Sequence, residues 1–511
     1  MALLAPRNRH GHPYLCGMKL LSAQQLQEWD AYTIREEPVS AADLMERAAT
    51  RCVHWLQGSL PPKVRVHIFC GKGNNGGDGT AIARLLIHAG FHPITYILET
   101  GAAGTVDFHV HLLKLQQLTA DIFFVASPEE MPIVHDNEYV IDALFGSGLN
   151  RPLQGLSAAL VEHINLSGAT VIAIDVPSGM FIDKSSGTNP VVRADYTLTF
   201  QSLKRCFMAP ENAANAGQVA VMDIGLLPSF VEGAPTSFFV STQEMVRPMM
   251  RPRKDFSHKG DFGHALLVAG NLGKMGAAVL ATRGCLRSGS GLLTVNVPQP
   301  EAAILHGTAP EAMVQQREEK NGQLETFSAI GIGPGLGTGP DTEKLLRRMI
   351  DGYQHPIVFD ADALNIIAKH PDWIPQLPKG SILTPHPKEF ERLFGVFPSD
   401  FERWDAAISL AKQHSLVIVL KGHRTLVAAN GNGYFNITGN AGLAKGGSGD
   451  LLTGMITALL AQHYPPCDAA IVGVYLHGLA ADLALEQQSM ESLLPTDVAE
   501  YIGKAFGFLS R

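Results

Sequence analysis

The sequence predicts an α/β protein of two domains, each built on a mostly parallel sheet with helices on both faces. Three observations lead there. Short apolar runs rich in Val and Ile alternate with helical stretches along most of the 511 residues, which is the pattern of strands joined by helical crossovers. Glycine is abundant, 51 residues, and suits many tight strand-to-helix turns better than a helical bundle. The alternation breaks once, after Ile224, and then restarts. A chain of this length is too long for one ordinary core.

The elements follow in order. Helical patterns cover 23–32 and 42–56, and 64–70 is an apolar strand closed by Gly71. The helical stretch 80–88 places Ile82, Leu85 and Leu86 on one face and is closed by Gly90, a common helix stop. Further strands are expected at 94–98, 122–125, 139–141, 171–174, 196–200 and 219–222. The segment from Ile224 to about Ser241 is rich in Pro, Ser and Phe and loses the rhythm. In the second half, strands are expected at 265–269, 292–297, 329–332, 357–359, 382–383, 416–420 and 425–428. Helices are expected at 277–288, 342–350, 388–394, 404–413, 451–462 and 469–486. The expected organisation is an N-terminal extension, 1–19, without an apolar signal core; a first domain, 20–226; a linker, 227–245; and a second domain, 246–511.

Composition narrows the function. With 46% hydrophobic and 17% charged residues the chain can bury large cores and is not globally disordered. The net charge of −8 and a single basic cluster, Arg251-Pro252-Arg253-Lys254, argue against a nucleic-acid partner; the cluster reads as a solvated linker. The six cysteines, Cys16, Cys52, Cys70, Cys206, Cys285 and Cys467, form no Cys-x-x-Cys pair. They suggest neither a zinc site nor a disulfide framework, but reduced thiols of a cytoplasmic protein. No run reaches the ~18 apolar residues of a membrane span, so no membrane partner is expected. Small-molecule partners and a homo-oligomer are expected.

The turn after the first strand reads Gly71-Lys72-Gly73-Asn74-Asn75-Gly76-Gly77-Asp78-Gly79. Gly71, Gly73 and Gly76 satisfy a dinucleotide-binding fingerprint, with Glu99 where such a fold has its ribose acid. A dinucleotide-dependent dehydrogenase is therefore one reading. Asn74, Asn75 and Asp78 crowd the loop with acceptors, however, which suits a hard cation or sugar hydroxyls better than a pyrophosphate. Two more acids end strands, Asp142 before Gly146-Ser147-Gly148-Leu149-Asn150-Arg151-Pro152, and Asp175 before Val176-Pro177-Ser178-Gly179. Ligands of open α/β sheets bind outside the carboxyl ends of strands, so Asp78, Asp142 and Asp175 are expected in one crevice. Each alone would pass for a cap or turn residue.

Residues 20–224 resemble the YjeF-like epimerase domain of the bifunctional NAD(P)H-hydrate repair proteins, through Asn74–Asp78, Asp142–Gly148 and Asp175–Gly179. The resemblance implies a Rossmann-like sandwich that inverts carbon six of the hydrated nicotinamide ring. It further implies K⁺ held by Asn75, Asp142 and Ser178. Substrate would be met by Asn74, Asn75, Gly76, Gly77, Asp78, by the loop Gly146 to Pro152 and by Asp175, the candidate for proton transfer.

The strongest pattern in the second half is Lys445-Gly446-Gly447-Ser448-Gly449-Asp450, followed directly by an apolar helix. A glycine loop opening a helix presents free N–H groups and the positive end of a dipole to an anion. No Walker loop is present. Asp450, at the mouth of that hole, can accept a proton from a hydroxyl attacking phosphorus; the plainer reading is a helix cap. Lys421-Gly422-His423-Arg424-Thr425 follows a strand, and Gly331–Gly337, Asp360–Asn365 and Thr384–Phe390 end three others. His386, taken singly, reads as a structural histidine. The acids are suited to holding the waters of Mg²⁺.

Residues 246–509 resemble the ribokinase-like superfamily, and within it the ADP-dependent NAD(P)H-hydrate dehydratases. The shared markers are His258-Lys259-Gly260 with Gly263, Gly333–Gly337, Asp360–Asn365, His386–Phe390 and Gly446–Asp450. The resemblance implies substrate near Ala277, Gly335, His386 and Asp450. It implies ADP on Lys421, Gly422, His423, Arg424, Thr425, Gly446, Gly447, Ser448 and Gly449, and phosphorylation of the ring hydroxyl followed by loss of phosphate. NADHX, NADPHX and ADP are then the partners. A kinase of vitamin-like alcohols and a non-catalytic binding module remain as alternatives.

Overall fold

A computed structural model of the chain describes residues 17–317 and 324–510. It separates into two compact units, residues 19–236 and residues 17–18 with 237–510.

In the first unit seven strands form one parallel sheet. Their order is Ile122–Val125, Pro93–Leu98, Val66–Cys70, Tyr139–Ala143, Thr170–Ile174, Tyr196–Phe200, Gln218–Met222. Strand order reverses between Val66–Cys70 and Tyr139–Ala143, and the crevice at such a reversal is where open α/β sheets bind ligands. Val66–Cys70 is buried at every residue because both of its faces are covered, which is why its sequence is a continuous apolar run rather than an alternation. Leu56, Ile82 and Phe108 from three helices pack with Ile68 and Ile141 on one face. Phe69, Val140, Leu160 and Val161 fill the other. Helix starts obey local chemistry: Ser22 and Gln25 form a capping box at the first helix, Ala23–Glu36, and Ser40 and Thr105 cap two more, each satisfying an N–H that the helix leaves free.

The second unit holds an eleven-stranded sheet. Its order is Met18–Lys19, Phe238–Ser241, Asn432–Asn436, Leu426–Ala429, Val417–Leu420, Ile382–Leu383, Ile357–Phe359, Ala329–Ile332, His264–Val268, Leu292–Val297, Met313–Gln316. Leu426–Ala429 runs antiparallel to both neighbours, and the strands from Val417–Leu420 to Met313–Gln316 pair in parallel. Helices Met275–Arg287 and Ser448–Ala461 cross at backbone distance. A Cβ on Gly284 would stand 2.2 Å from the Leu451 carbonyl oxygen, and one on Gly454 1.9 Å from that of Ala281. No side chain fits there, so both positions require glycine.

Several expectations are corrected. The segment 227–245 is not a linker. Helix Pro228–Gly233 belongs to the first unit, where Trp29 stacks on Phe230 and donates from Nε1 to the Leu227 carbonyl at 2.8 Å. Strand Phe238–Ser241 belongs to the second unit, with Phe238 stacked on Phe435 and Phe239 on Tyr434. Its partner lies far along the chain, so no local rhythm announces it. The expected extension splits as well: residues 1–16 lie outside the described residues, whereas Met18–Lys19 are an edge strand. Asn74–Asp78 is not a free turn but the first turn of helix Asn74–His88. Finally, helix Pro466–Ala484 is long and apolar enough to cross a membrane by length and composition. Most of its residues are buried; both its faces are covered, so it is apolar all round as a core helix.

Candidate active site

In the first unit the crevice is built on buried charge. Asp142 lies in strand Tyr139–Ala143 and is fully buried. Its Oδ1 accepts from Ser178 Oγ at 2.6 Å and Leu144 N at 3.2 Å, and its Oδ2 from Ser178 N at 2.8 Å. Burial pushes the carboxyl up to about 6, against the pull of those hydrogen bonds. Ser178 Oγ also accepts from Phe145 N at 2.8 Å and lies 3.1 Å from the Phe145 carbonyl oxygen. One carboxylate, one hydroxyl and one carbonyl are thus gathered with a single negative charge among them.

Asp175 follows strand Thr170–Ile174 with φ of 67°, a left-handed backbone that costs a non-glycine residue on the order of 1–3 kcal/mol and so needs support. The support is visible. Its N–H bonds to the Leu198 carbonyl at 2.8 Å, its Oδ2 accepts from Ser147 N at 2.9 Å, and its Oδ1 pairs with Lys204 Nζ at 2.8 Å. Burial acts to raise this carboxyl, but the Lys204 charge and the hydrogen bonds from Lys204 and Ser147 outweigh it and hold it below the ordinary carboxylate range. Two neighbours move the other way. Burial, then repulsion from Asp175 and Asp30, pushes Asp78 well up. Burial and Asp175, offset by Lys204, push Asp30 up to about 7. An ionised acid beside two acids driven toward the neutral form is the division of labour that base and acid catalysis require.

The expected residues converge in part. A Cβ on Gly146 would stand 3.1 Å from both Asn75 Oδ1 and Asp175 Oδ2, and the Asn75 amide nitrogen is buried without a partner. Gly76 and Gly77 are buried by packing. Their Cβ atoms would meet the Gly71 carbonyl oxygen at 1.7 Å and Met45 Sδ at 2.5 Å. Asn74, Gly148, Asn150, Arg151 and Pro152 are exposed at the rim, with Ser147 and Leu149 half-buried. Glu99 is paired with Lys72 and accepts from Gly101 N at 2.9 Å, so it is already engaged and does not stand as a ribose acid. Sequence reasoning missed Asp30 and Lys204. Asp30 sits on an amphipathic helix among ordinary polar residues, and Lys204 is a lone lysine after a strand; the position of Lys204 beyond a carboxyl end was the one usable signal.

In the second unit Gly447, with φ of 97°, opens helix Ser448–Ala461 without a side-chain cap. The Leu451 N–H bonds back to Gly447 at 3.0 Å, so the N–H groups of Gly449 and Asp450 precede the helical ladder and face outward. The buried Ser448 Oγ has no partner. Burial and the nearby Asp360 push the Asp450 carboxyl up to about 6, with Lys421 opposing. Asp360, 1% exposed, is the hub: Oδ1 accepts from Lys421 Nζ at 2.7 Å and Thr384 Oγ1 at 2.8 Å, and Oδ2 from Thr453 Oγ1 at 2.7 Å. Burial acts to lower Lys421, but Asp360 more than compensates and it stays charged.

Around this hub, a Cβ on Gly335 would stand 3.0 Å from Ala277 Cβ, and Gly337 N donates to Asp362 Oδ2 at 2.7 Å. His386 caps helix Pro387–Phe394, accepting from Glu389 N at 3.3 Å; burial lowers its imidazole below the ordinary range. In the 421–425 loop Thr425 Oγ1 closes a turn on the Gly422 carbonyl at 3.0 Å, and Arg424 donates to the Ile437 carbonyl at 3.0 Å. Gly422, His423 and Gly446 are exposed. Among the described residues no three His, Cys, Asp or Glu side chains gather to hold a metal ion.

Comparison with known proteins fits both units. The family model described as YjeF-related protein N-terminus matches residues 41–206, and the one described as NAD(P)H-hydrate dehydratase matches 265–504. The bifunctional NAD(P)H-hydrate repair enzyme of Moorella thermoacetica is 32% identical over 95% of this chain and 96% of its own. That of Coxiella burnetii is 33% identical over 94% and 98%. Among solved structures, a ribokinase-like superfamily protein of Enterococcus faecalis is 28% identical with a TM-score of 0.50, over 54% of this chain and 98% of its own. With both halves matched in order and relatives covered almost end to end, the chain belongs to the bifunctional NAD(P)H-hydrate repair enzyme family.

Proposed function

We propose that the chain repairs hydrated NADH and NADPH. The first unit interconverts the R and S hydrates at carbon six. The second dehydrates the S hydrate with ADP, releasing NAD(P)H, AMP and phosphate. The observation that carries this reading is the end-to-end match to enzymes of that name; an acid–base constellation in each unit supports it.

Inversion at carbon six breaks one bond to a heteroatom and remakes it from the opposite face. A proton must reach the leaving atom and another must leave the attacking one. Asp175 takes the second role, since its pairing with Lys204 keeps it ionised; Asp78 and Asp30 supply the first. Substrate lies against Asn74 to Asp78 and the 146–152 loop. Asn75, Asp142 and Ser178 would hold K⁺. The fit rests on the Asn75 amide: its buried nitrogen lacks a partner, and turning the amide over presents an oxygen instead. One carboxylate among neutral oxygens suits a large monovalent ion better than Mg²⁺. When bound, K⁺ would supply a fixed positive charge to the site. Asp142→Ala is expected to slow epimerisation, and wild-type rates are expected to drop when K⁺ is replaced by a large organic cation at equal ionic strength. Equal rates in both media would remove the ion from the assignment.

In the second unit the helix N-terminus at Gly446 to Gly449 receives a phosphoryl group, and Lys421 to Thr425 meets the nucleotide. Asp450 takes the proton of the ring hydroxyl as the β-phosphoryl group of ADP is transferred, leaving AMP. Phosphate then leaves carbon six with the electron pair of its C–O bond while a proton is lost from carbon five, and the C–H pair forms the double bond of the dihydronicotinamide. Asp360 and Asp362 would hold the Mg²⁺ that accompanies ADP through its waters, since both Asp360 oxygens are already engaged. The free cysteines, four of the five described ones buried, support a cytoplasmic setting.

The test is direct: mixed hydrate epimers, protein and ADP or ATP, with the return of reduced-ring absorbance as readout. Complete recovery from the mixture is expected, whereas half-recovery would mean an inactive first unit, and a stable phosphorylated product would make the second unit a kinase. Dehydration should also lose rate on acidification. The Asp450 carboxylate must be ionised to act, and its carboxyl is raised to about 6, so kcat/KM should fall about tenfold per pH unit below that value. A flat profile down to pH 5 would contradict Asp450 as base.

A further inference from the structure

Lys204 is only 1% exposed, and a charge is rarely buried so fully unless it is paired and hydrogen-bonded. Strand Tyr196–Phe200 ends beside the strand that carries Asp175, and the chain turns back through Gln201, whose φ is 61°. That turn aims Lys204 across the strand ends. An ammonium has three N–H donors, and three acceptors are present: Thr199 Oγ1 at 2.6 Å, the Phe200 carbonyl at 2.9 Å and Asp175 Oδ1 at 2.8 Å. With every donor engaged, Lys204 has none to offer a substrate phosphate and no lone pair with which to act as base or nucleophile.

We propose that Lys204 is the positioning residue of the epimerase site. It fixes the side-chain direction of Asp175 and keeps that carboxylate ready to accept a proton. Two of its anchors, Thr199 and Phe200, are independent of Asp175 and lie on the neighbouring strand. Lys204 therefore transmits the rigidity of the sheet to a residue whose own backbone is strained. Ser147 N holds the second oxygen at 2.9 Å, so Asp175 is clamped from two sides, and that oxygen lies beside Gly146, where an added Cβ would come within 3.1 Å of it. The titratable groups around Asp175 are Asp30 from helix Ala23–Glu36, Cys52 from helix Ala41–Ser59, Asp78 from helix Asn74–His88, Cys206, and Lys204 itself. Lys204 is the one cation among them. Without it two acids, both destabilised as anions by Asp175, would push Asp175 toward its neutral form as well.

The inference rests on the reading of Asp175 as the proton-accepting group, and the experiment separates the two. Resolved R and S hydrates are interconverted without nucleotide and followed by chromatography across pH. The full chain is compared with Lys204→Met, Lys204→Arg and Asp175→Asn. Lys204→Met is expected to lower kcat about 10²-fold or more with little change in KM. Its acid limb is expected to move upward by about one to three pH units, the usual effect of losing an adjacent opposite charge. Lys204→Arg, which keeps the charge, should leave the limb near its wild-type position. Dehydration of the S hydrate, in the other unit, should be unchanged in all three and reports intact protein. A lower rate at every pH with an unmoved limb would make Lys204 merely structural, and a raised KM with unchanged kcat would make it a substrate contact; either overturns the proposal. Full activity of Asp175→Asn would instead overturn the reading of Asp175, whatever Lys204 does. If Lys204→Met does not fold, Thr199→Val removes one anchor with little change of shape; it should move the limb in the same direction by a fraction of that amount, and an unmoved limb there would sink the idea.

Discussion

Asp450→Asn is expected to lower ADP-dependent dehydration by about 10²–10⁴-fold, the usual contribution of a positioned general base, and to leave epimerisation unchanged. The side chain keeps its shape but loses the lone pair that accepts the hydroxyl proton. Asp175 and its partners lie in a unit with its own core, so the first activity has no reason to change. The variant should also be no less stable. The Asp450 carboxyl is raised from 3.8 to about 6 in the folded chain, so its protonated form is the one folding favours. That contribution is complete below pH ~4 and is lost as pH rises through about 6. An amide at this position avoids the loss, and the variant should melt at or above the wild-type temperature near pH 7. Dehydration and epimerisation assays on one preparation, with a melting curve, test all three statements. Near-normal dehydration would remove Asp450 from the mechanism, and a large fall in melting temperature would return it to the role of a helix cap.

Asp360→Ala should destabilise the second unit by about 3 kcal/mol and abolish dehydration. Asp360 accepts from Lys421, Thr384 and Thr453, which stand on a strand end, a neighbouring strand end and the helix that opens at Ser448. Removing one partner of a buried charge pair costs about 3–5 kcal/mol because the other is stranded. The lower end applies here. The Lys421 side chain remains 21% exposed, so water screens part of its charge, and Thr384 and Thr453 keep alternative acceptors in the Phe359 and Gly449 carbonyls. Denaturant unfolding would measure the loss, and Asp360→Asn should recover part of it, because its amide oxygen can still accept from Lys421 and Thr384. An unchanged midpoint for Asp360→Ala would show that the hub contributes nothing to holding the site's elements together.

Most of the candidate site is legible in the sequence because its residues sit at ends of elements whose local pattern is strong. Asp142 and Asp175 end strands that read as continuous apolar runs, and such strands are apolar because both faces are buried. Asp450 follows three glycines and a serine at the start of an unusually apolar helix. In each case a few consecutive residues hold the signal. The first turn of helix Asn74–His88 reads as a turn in the sequence for a related reason. Two asparagines and three glycines score poorly for helix, but Gly76 and Gly79 are demanded by backbone and strand side chains within contact distance, and packing overrides propensity.

What the sequence by itself determined, then, is the alternation of strands and helices, the two sheets, and the acids that stand at their carboxyl ends, since all of these depend on periodicity and on neighbours within a few residues. Only the tertiary structure decided the rest. It brought Lys204 and Asp30 to Asp175, so that one carboxyl is held below its ordinary range and the other is pushed up. It joined Asp360 to Lys421 and Thr453, whose separations along the chain are large. It made the segment 238–241 a strand by pairing it with 432–436, and it buried a helix apolar enough to cross a bilayer. The reason is the same in every case. The energies involved, whether a desolvated charge, a ladder hydrogen bond or an apolar face withdrawn from water, depend on what lies opposite in space, and a one-dimensional pattern does not record that.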